Sequence, residues 1–230
     1  MSIYITGDTH SDYDIHKLTT DAFPEQKELT RDDYVIVAGD MGVCWDGYRQ
    51  DHYIQSWYEN KPWTTLFVDG NHENHAILDS LPAEEWNGGK IHRISPNIIH
   101  LMRGQVYTID GVRIFTMGGA QSTDKEYRKE NVSWWAREMP SDEEYDEAIS
   151  NLSRHNNEVD IIVTHCCSDH TKARVDMKYM FNTDRLTSWF DYIEDIVTYK
   201  TWYFGHYHED KIIGDKHVCL YQQVVKVDLE

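Results

Sequence analysis

Five short apolar stretches, each running straight into side chains that bind metals, constrain this chain more than any other feature. They read Ile3-Tyr4-Ile5-Thr6-Gly7-Asp8-Thr9-His10, Tyr34-Val35-Ile36-Val37-Ala38-Gly39-Asp40, Leu66-Phe67-Val68-Asp69-Gly70-Asn71-His72-Glu73, Ile161-Ile162-Val163-Thr164-His165 and Tyr203-Phe204-Gly205-His206-Tyr207-His208. An apolar run of this length is the pattern of a strand buried on both faces of a sheet. Ligands bind beyond the carboxyl ends of such strands. Five of them emptying Asp, His and Asn onto one sheet edge would build a site for two metal ions.

Composition bounds the rest. A chain of 230 residues suits one large domain better than two, so one domain over residues 1–230 is expected. With 40% hydrophobic residues, 8 Trp and 15 Tyr, the chain is globular and not disordered. The formal net charge of −18 repels nucleic acid at long range. Bound metal ions can still reverse the local field for an anionic substrate. No apolar run is long enough to span a bilayer, and the first strand begins at Ile3, which leaves no room for a signal peptide. Cys44, Cys166, Cys167 and Cys219 form no disulfide or zinc-finger spacing. The expectation is a cytoplasmic protein with no membrane contact.

Strands are predicted to end at His10, Asp40 and Asn71, with helices over 13–20 and 50–59, the latter closed by Lys61-Pro62. Alternating strands and helices imply crossover units and a mainly parallel sheet. Between residues 91 and 117 the pattern changes to short β runs, with a hairpin signal at Asp110-Gly111. These runs are predicted to be antiparallel and to open a second sheet. Residues 121–140 are polar, charged and aromatic and read as an excursion from the sheets. Ser141 and Glu144 form a capping box that opens a helix. Asn182 or Thr183 is expected to cap another helix, running to about Tyr199. The tail, 211–227, reads as two strands turning at Gly214-Asp215.

The ligand types carry chemical meaning. An Asp-x-His pair at a strand end should point both side chains the same way, since alternate residues share a face. The glycines before Asp8, Asp40, Asn71 and His206 should let the backbone turn sharply. A carboxylate such as Asp40 can bridge two cations, one oxygen to each. Imidazole with carboxylate suits manganese first, with iron and zinc also compatible, over calcium. The absence of sulfur from the set argues against a purely structural zinc site.

In this order the five blocks resemble the calcineurin-like metallophosphoesterase superfamily, whose pattern runs Asp-x-His, Gly-Asp, Gly-Asn-His-Asp/Glu, a lone His, and Gly-His-x-His. The resemblance extends from Gly7 to His208. It implies an α/β fold, a four-layer α/β/β/α sandwich with two central mixed sheets flanked by helices. It implies that Asp8, His10, Asp40 and His208 hold one of two divalent metals. Asp40, Asn71, His165 and His206 hold the other, with Asp40 bridging and His72 catalytic beside the phosphoryl group. The implied activity is hydrolysis of a phosphate monoester or diester, in a small phosphorylated substrate, by in-line attack of a metal-bridging hydroxide. The alternatives are a non-catalytic metal-binding scaffold of the same fold, or a nuclease.

The chain departs from the phosphoprotein-phosphatase form of the pattern, Gly-Asp-x-x-Asp-Arg-Gly. Val43 stands where that form has its second Asp, and Cys44 where it has a phosphate-binding Arg. Asp46 or Glu73 is then expected to hold His72, and Arg93, Arg103, Arg128 or Arg137 to meet the phosphate. His16, His52, His75, His92, His100, His155, His170 and His217 read as surface or structural, His170 being the one with some reach toward the site. Cys166-Cys167 lacks the arginine of a Cys-x5-Arg loop and reads as small packing residues. Trp134-Trp135 reads as packing of the excursion onto the body.

Overall fold

The computed structural model describes residues 1–228. Six strands come first: β1 (Ile3–Thr6), β2 (Tyr34–Ala38), β3 (Thr64–Val68), β4 (Ala83–Trp86), β5 (Gly89–Ser95) and β6 (Ile98–Leu101). Then follow β7 (Gln105–Ile109), β8 (Val112–Met117), β9 (Ile161–Thr164), β10 (Thr201–Phe204), β11 (Lys211–Ile213), β12 (His217–Cys219) and β13 (Val224–Lys226). The helices are α1 (Arg49–Glu59), α2 (His75–Leu78), α3 (Asp142–Arg154), α4 (Asp169–Val175) and α5 (Arg185–Ile196).

The strands form two mixed sheets, ordered β13-β1-β2-β3-β6-β5-β4 and β11-β12-β10-β9-β8-β7. Strand alternation sorts the apolar side chains into three cores, which gives the four layers. Ile3, Ile5, Ile36, Leu66 and Val68 of the first sheet meet Ile114, Ile161, Val163 and Tyr203 of the second in a core between the sheets. Their neighbours Tyr4, Val35, Val37 and Phe67 point outward onto Ile54 and Tyr58 of α1 and onto Leu18, Phe23 and Trp63. On the far side, Phe115, Ile162, Trp202 and Phe204 pack against α3 and α5 through Tyr145, Leu152, Leu186 and Phe190. Continuous apolar runs were therefore the right signature for β1, β2, β3, β9 and β10, which bury both faces.

Several local expectations need correction. β5 and β6 are antiparallel to each other, but β6 pairs parallel with β3, so both belong to the first sheet. The second sheet begins with the β7–β8 hairpin, whose turn places Asp110 at φ 51° and Gly111 at φ 83°, both left-handed as a two-residue hairpin requires. Only a short 3-10 turn, Ile15–Leu18, forms within 13–20. The capping box at Ser141 and Glu144 is present. The cap of α5 is Asp184, whose carboxylate accepts from the N–H groups of Leu186 and Thr187, and the helix ends at Ile196. Asp184, next after Asn182 and Thr183, offers a charged acceptor to the positive helix end and so outcompetes both. The tail holds three strands, because β13 crosses back to pair antiparallel with β1.

A buried ionic cluster ties the end of β3 to the loop between β6 and β7. Asp69 accepts from Arg103 Nε at 2.9 Å and lies 3.1 Å from His100 Nε2, while His100 and His92 face each other at 3.1 Å. Burial, with Arg103 beside it, pushes His75 down to about 3; burial, with His100 beside it, pushes His92 down to about 4. Both are neutral in the fold, whereas an unfolded histidine protonates near ~6.5. The unfolded chain therefore takes up protons that the folded chain refuses, and stability falls as pH drops from about 6.5 toward 4. His206, also pushed down to about 3 chiefly by burial, adds with the same sign, whereas Glu73, pushed up to about 8 chiefly by burial, opposes it, so a variant is needed to isolate the cluster. In urea unfolding of the metal-free protein between pH 7 and 4.5, His92→Gln should lose less stability on acidification than wild type does. Equal slopes in the two proteins would contradict the assignment.

Candidate metal centre

The ligand-type residues lie on loops that follow the strands. β1 stops at Thr6, β2 at Ala38 and β3 at Val68, two or more residues before Asp8, Asp40 and Asn71. Strand alternation therefore does not aim Asp8 and His10. Instead the N–H groups of Thr9 and His10 both donate to the Asp40 carbonyl, at 3.2 and 2.8 Å, and His10 adopts φ 43°. Asp40, His206 and His208 are left-handed too, at φ 48°, 69° and 52°. Non-glycine residues held in this region cost energy and cluster at functional sites.

The glycines serve close approach more than turning. Gly39 has φ 94°, and a Cβ on it would strike the His165 ring. A Cβ on Gly70 would strike the Asp40 carboxylate, and one on Gly205 the Asp8 carboxylate. The ligand side chains occupy the volume that other residues would fill.

The result is a dense cluster. Asp8 Oδ2 stands 3.2 Å from His208 Nε2 and 3.9 Å from His10 Nε2. Asp40 Oδ2 stands 3.5 Å from His10 Nε2 and 3.3 Å from His165 Nε2. His165 Nε2 also lies 3.1 Å from Asn71 Oδ1, and the His206 ring packs on that of His165 at 4.9 Å. Two groups have donor atoms close enough to share an ion: Asp8, His10 and His208, and Asp8, Asp40 and His165. All seven ligand-type residues singled out in the sequence are thus brought together.

The surroundings orient these groups. His10 Nδ1 lies 2.7 Å from Asp14 Oδ2, and Asp14 also accepts from the Tyr221 hydroxyl at 2.9 Å. His165 Nδ1 faces the Ala38 carbonyl at 2.9 Å, which leaves Nε2 toward Asp40 and Asn71. Such a partner on the far nitrogen fixes the ring of a metal-binding histidine. Asn71 Nδ2 donates to Ser122 Oγ at 3.1 Å, and Ser122 in turn donates to the buried Glu138 at 2.7 Å. Lys125 pairs with Glu138 at 2.7 Å. No sequence motif marks Asp14, Ser122 or Glu138, and their role emerges only once the fold places them.

Electrostatics test whether cations fit. Asp8 and Asp40 are 0% and 2% exposed, and their ion-pair partners among the described residues are all histidines. Burial opposes the charge of Asp40, but His165 and His10 outweigh it and hold the carboxyl well below its usual range. Burial likewise opposes charge on His10 and His165, yet the facing carboxylates raise them to about 9 and about 10. Without metal, protons stand where the donor atoms converge. Two buried carboxylates that rely on protonated imidazoles form a donor set that cations would complete by displacing those protons.

His72 sits beside this cluster. Its backbone N–H donates to Asp40 Oδ1 at 2.8 Å, and its ring packs on His10 at 5.7 Å. Neither expected partner holds it. Glu73 turns inward to accept from the N–H groups of Met41 and Gly70, and Asp46 accepts from the N–H of Tyr48. The group against the His72 ring is Arg128, its two terminal nitrogens 3.2 and 3.0 Å from Nδ1 and Nε2. Of the four candidate arginines, Arg93 pairs with Glu84, Arg103 with Asp69 and Arg137 with Glu144. Arg128 alone of the four lines the cavity that also bears Asp40, Asn71, His206 and His208. His170 points away, 80% exposed, toward Asp191. Burial pushes the Cys166 and Cys167 thiols well up, so neither offers a thiolate. Trp135 is buried against Trp45, rings 5.8 Å apart, and packs the excursion onto the body.

The chain belongs to the calcineurin-like phosphoesterase family, whose model matches residues 1–210, and with it to the metal-dependent phosphoric ester hydrolases. It is similar to lariat debranching enzyme A of Xenopus laevis, 31% identical over 144 residues, covering 56% of this chain and 25% of that protein. It is also similar to the lariat debranching enzyme of Schizosaccharomyces pombe, 37% identical over 68 residues, covering 30% of this chain and 13% of the other. The matched regions thus span a quarter or less of these relatives. Among solved structures, phosphopantetheinyl hydrolase of Mycobacterium tuberculosis aligns over 100% of this chain and 96% of its own, with TM-score 0.48 and 13% identity. No helix among the described residues is long and apolar enough to cross a membrane.

Proposed function

We propose that this chain hydrolyses a phosphate ester with two divalent cations held by the cluster around Asp40. The supporting observation is the pair of buried carboxylates, Asp8 and Asp40, whose ion-pair partners among the described residues are all histidines. His10 and His208 with Asp8 would hold one cation, Asn71, His165 and His206 the other, and Asp40 both. Asp40 Oδ1 is engaged by the His72 N–H, so Oδ2, which faces both His10 and His165, is the oxygen available to be shared. The cations, manganese in the first place, would lower the pKa of the attacking water and neutralise phosphoryl oxygens.

The chain's own residues supply the rest. Water attacks phosphorus in line, the ester P–O bond breaks, and the leaving oxygen takes a proton. His72 borders this space and is placed to hydrogen-bond or protonate that oxygen. Arg128, resting on His72, takes the place of the arginine that Cys44 replaces and meets a phosphoryl oxygen. Cys166 and Cys167 are buried and offer no thiolate nucleophile. A single turnover in ¹⁸O water with manganese should leave one ¹⁸O in the phosphoryl product; an unlabelled phosphoryl product would mean cleavage of the C–O bond and overturn attack at phosphorus.

The names of the curated relatives offer a second reading, debranching of a lariat. The 31% identity over 144 residues favours it, and the net charge of −18 opposes a long nucleic acid. Cleavage of a labelled lariat RNA at a rate matching that of a small diester would favour it.

A further inference from the structure

The cluster around Asp40 opens into two separate cavities. One, about 620 Å³, is lined by Ser11, Tyr13, Asp14, Trp45 and Gln50 together with His10, Asp40 and His72. The other, about 730 Å³, is bordered by Ser122, Lys125, Asn182, His206 and His208. They share no lining residue. A third cavity, about 220 Å³, shares Asp40 and His72 with the first, and Ser122, His206 and His208 with the second. Space thus runs along the cluster in both directions, with Arg128 over the middle.

Resting on the phosphoesterase reading above, we infer that the substrate is a phosphodiester with one flat, uncharged aromatic arm of nucleoside size. A monoester carries one substituent and would fill one of the two cavities; a diester carries two and fills both. The Tyr13–Trp45 cavity takes the aromatic arm. Tyr13 is 81% exposed at its edge, and an aromatic side chain left in water beside such a site offers a stacking face. Lys and Arg are missing from its lining, and Asp14 is engaged by His10 and Tyr221. A second phosphate there would be repelled, and a neutral ring would not. Gln50 adds an amide able to read a ring edge. The volume falls within the ~300–1,000 Å³ range of sites for molecules of this size.

The test uses the manganese-loaded protein. Thymidine 5′-(p-nitrophenyl phosphate) should be hydrolysed with a kcat/KM at least tenfold that of p-nitrophenyl phosphate. Adenosine 5′-monophosphate should inhibit at least about fivefold better than ribose 5-phosphate, as ~1 kcal/mol or more of stacking per base implies. Tyr13→Ala and Trp45→Ala should close that gap; Tyr13 supports no core, so its variant folds. Faster monoester turnover would overturn the diester assignment, and equal inhibition by the two phosphates would overturn the aromatic arm. In both cases the phosphoesterase reading stands. Failure of that reading looks different: neither ester would turn over above a His72→Ala control.

Discussion

Asp40→Asn is expected to abolish turnover, by at least about 10³-fold, beyond the ~10–100-fold usual for residues that only orient a ligand. Asp40 Oδ2 lies 3.5 Å from His10 and 3.3 Å from His165, so this carboxylate is common to both halves of the cluster. An asparagine keeps the shape and can still accept the His72 N–H, but it removes the negative charge. Metal-free, the variant should unfold at a lower temperature than wild type, because His10 and His165 lose the buried carboxylate that pairs with them. Manganese should raise the melting temperature of the wild type and leave that of the variant unmoved, since only binding to the folded state stabilises it. A variant that retained both activity and the manganese shift would remove Asp40 from the centre of the account.

The second large effect concerns the pair His72 and Arg128. His72→Ala should lower kcat by ~10²–10⁴-fold, the range for a group that assists proton transfer, while manganese content stays the same. Arg128→Gln should lower kcat/KM by ~10²-fold, in line with loss of one preorganised donor to the phosphoryl group. The two side chains are 3.0–3.2 Å apart, so the double variant should lose less than the product of the single losses. Steady-state kinetics on one ester, with metal content measured for each variant, decides this. Strict additivity would mean that the two residues act apart.

The ligand residues were legible because coordination chemistry permits few residue types and strand ends deliver them at fixed points, although the five apolar runs end on two sheets, β1, β2 and β3 in one and β9 and β10 in the other, and not on the single sheet edge expected. Asp8, His10, Asp40, Asn71, His165, His206 and His208 all declare themselves in this way. Their aim was not legible. It depends on left-handed turns at His10 and Asp40 and on a hydrogen bond from His10 to Asp40 across thirty residues of chain, which strand alternation does not describe. Arg128, Ser122 and Glu138 lie in 121–140, where two 3-10 turns are the only helical structure and hydrophobic period gives no signal. Their positions come from tertiary contacts with His72 and Asn71. The same holds for Asp14, an ordinary-looking loop acid until Tyr221, more than two hundred residues away, closes on it. In the fold, burial on both faces was readable from Ile36, Leu66 and Ile162. The return of β13 to β1 was not, because Val224-Val225-Lys226 carries no mark of its partner.

The most direct test is anomalous diffraction from a crystal soaked in manganese. Two peaks should flank Asp40 Oδ2, ~3.5–4 Å apart as in two-metal sites, one toward His10 and His208 and the other toward Asn71, His165 and His206. A single peak, or none among these residues, would contradict a paired-cation centre.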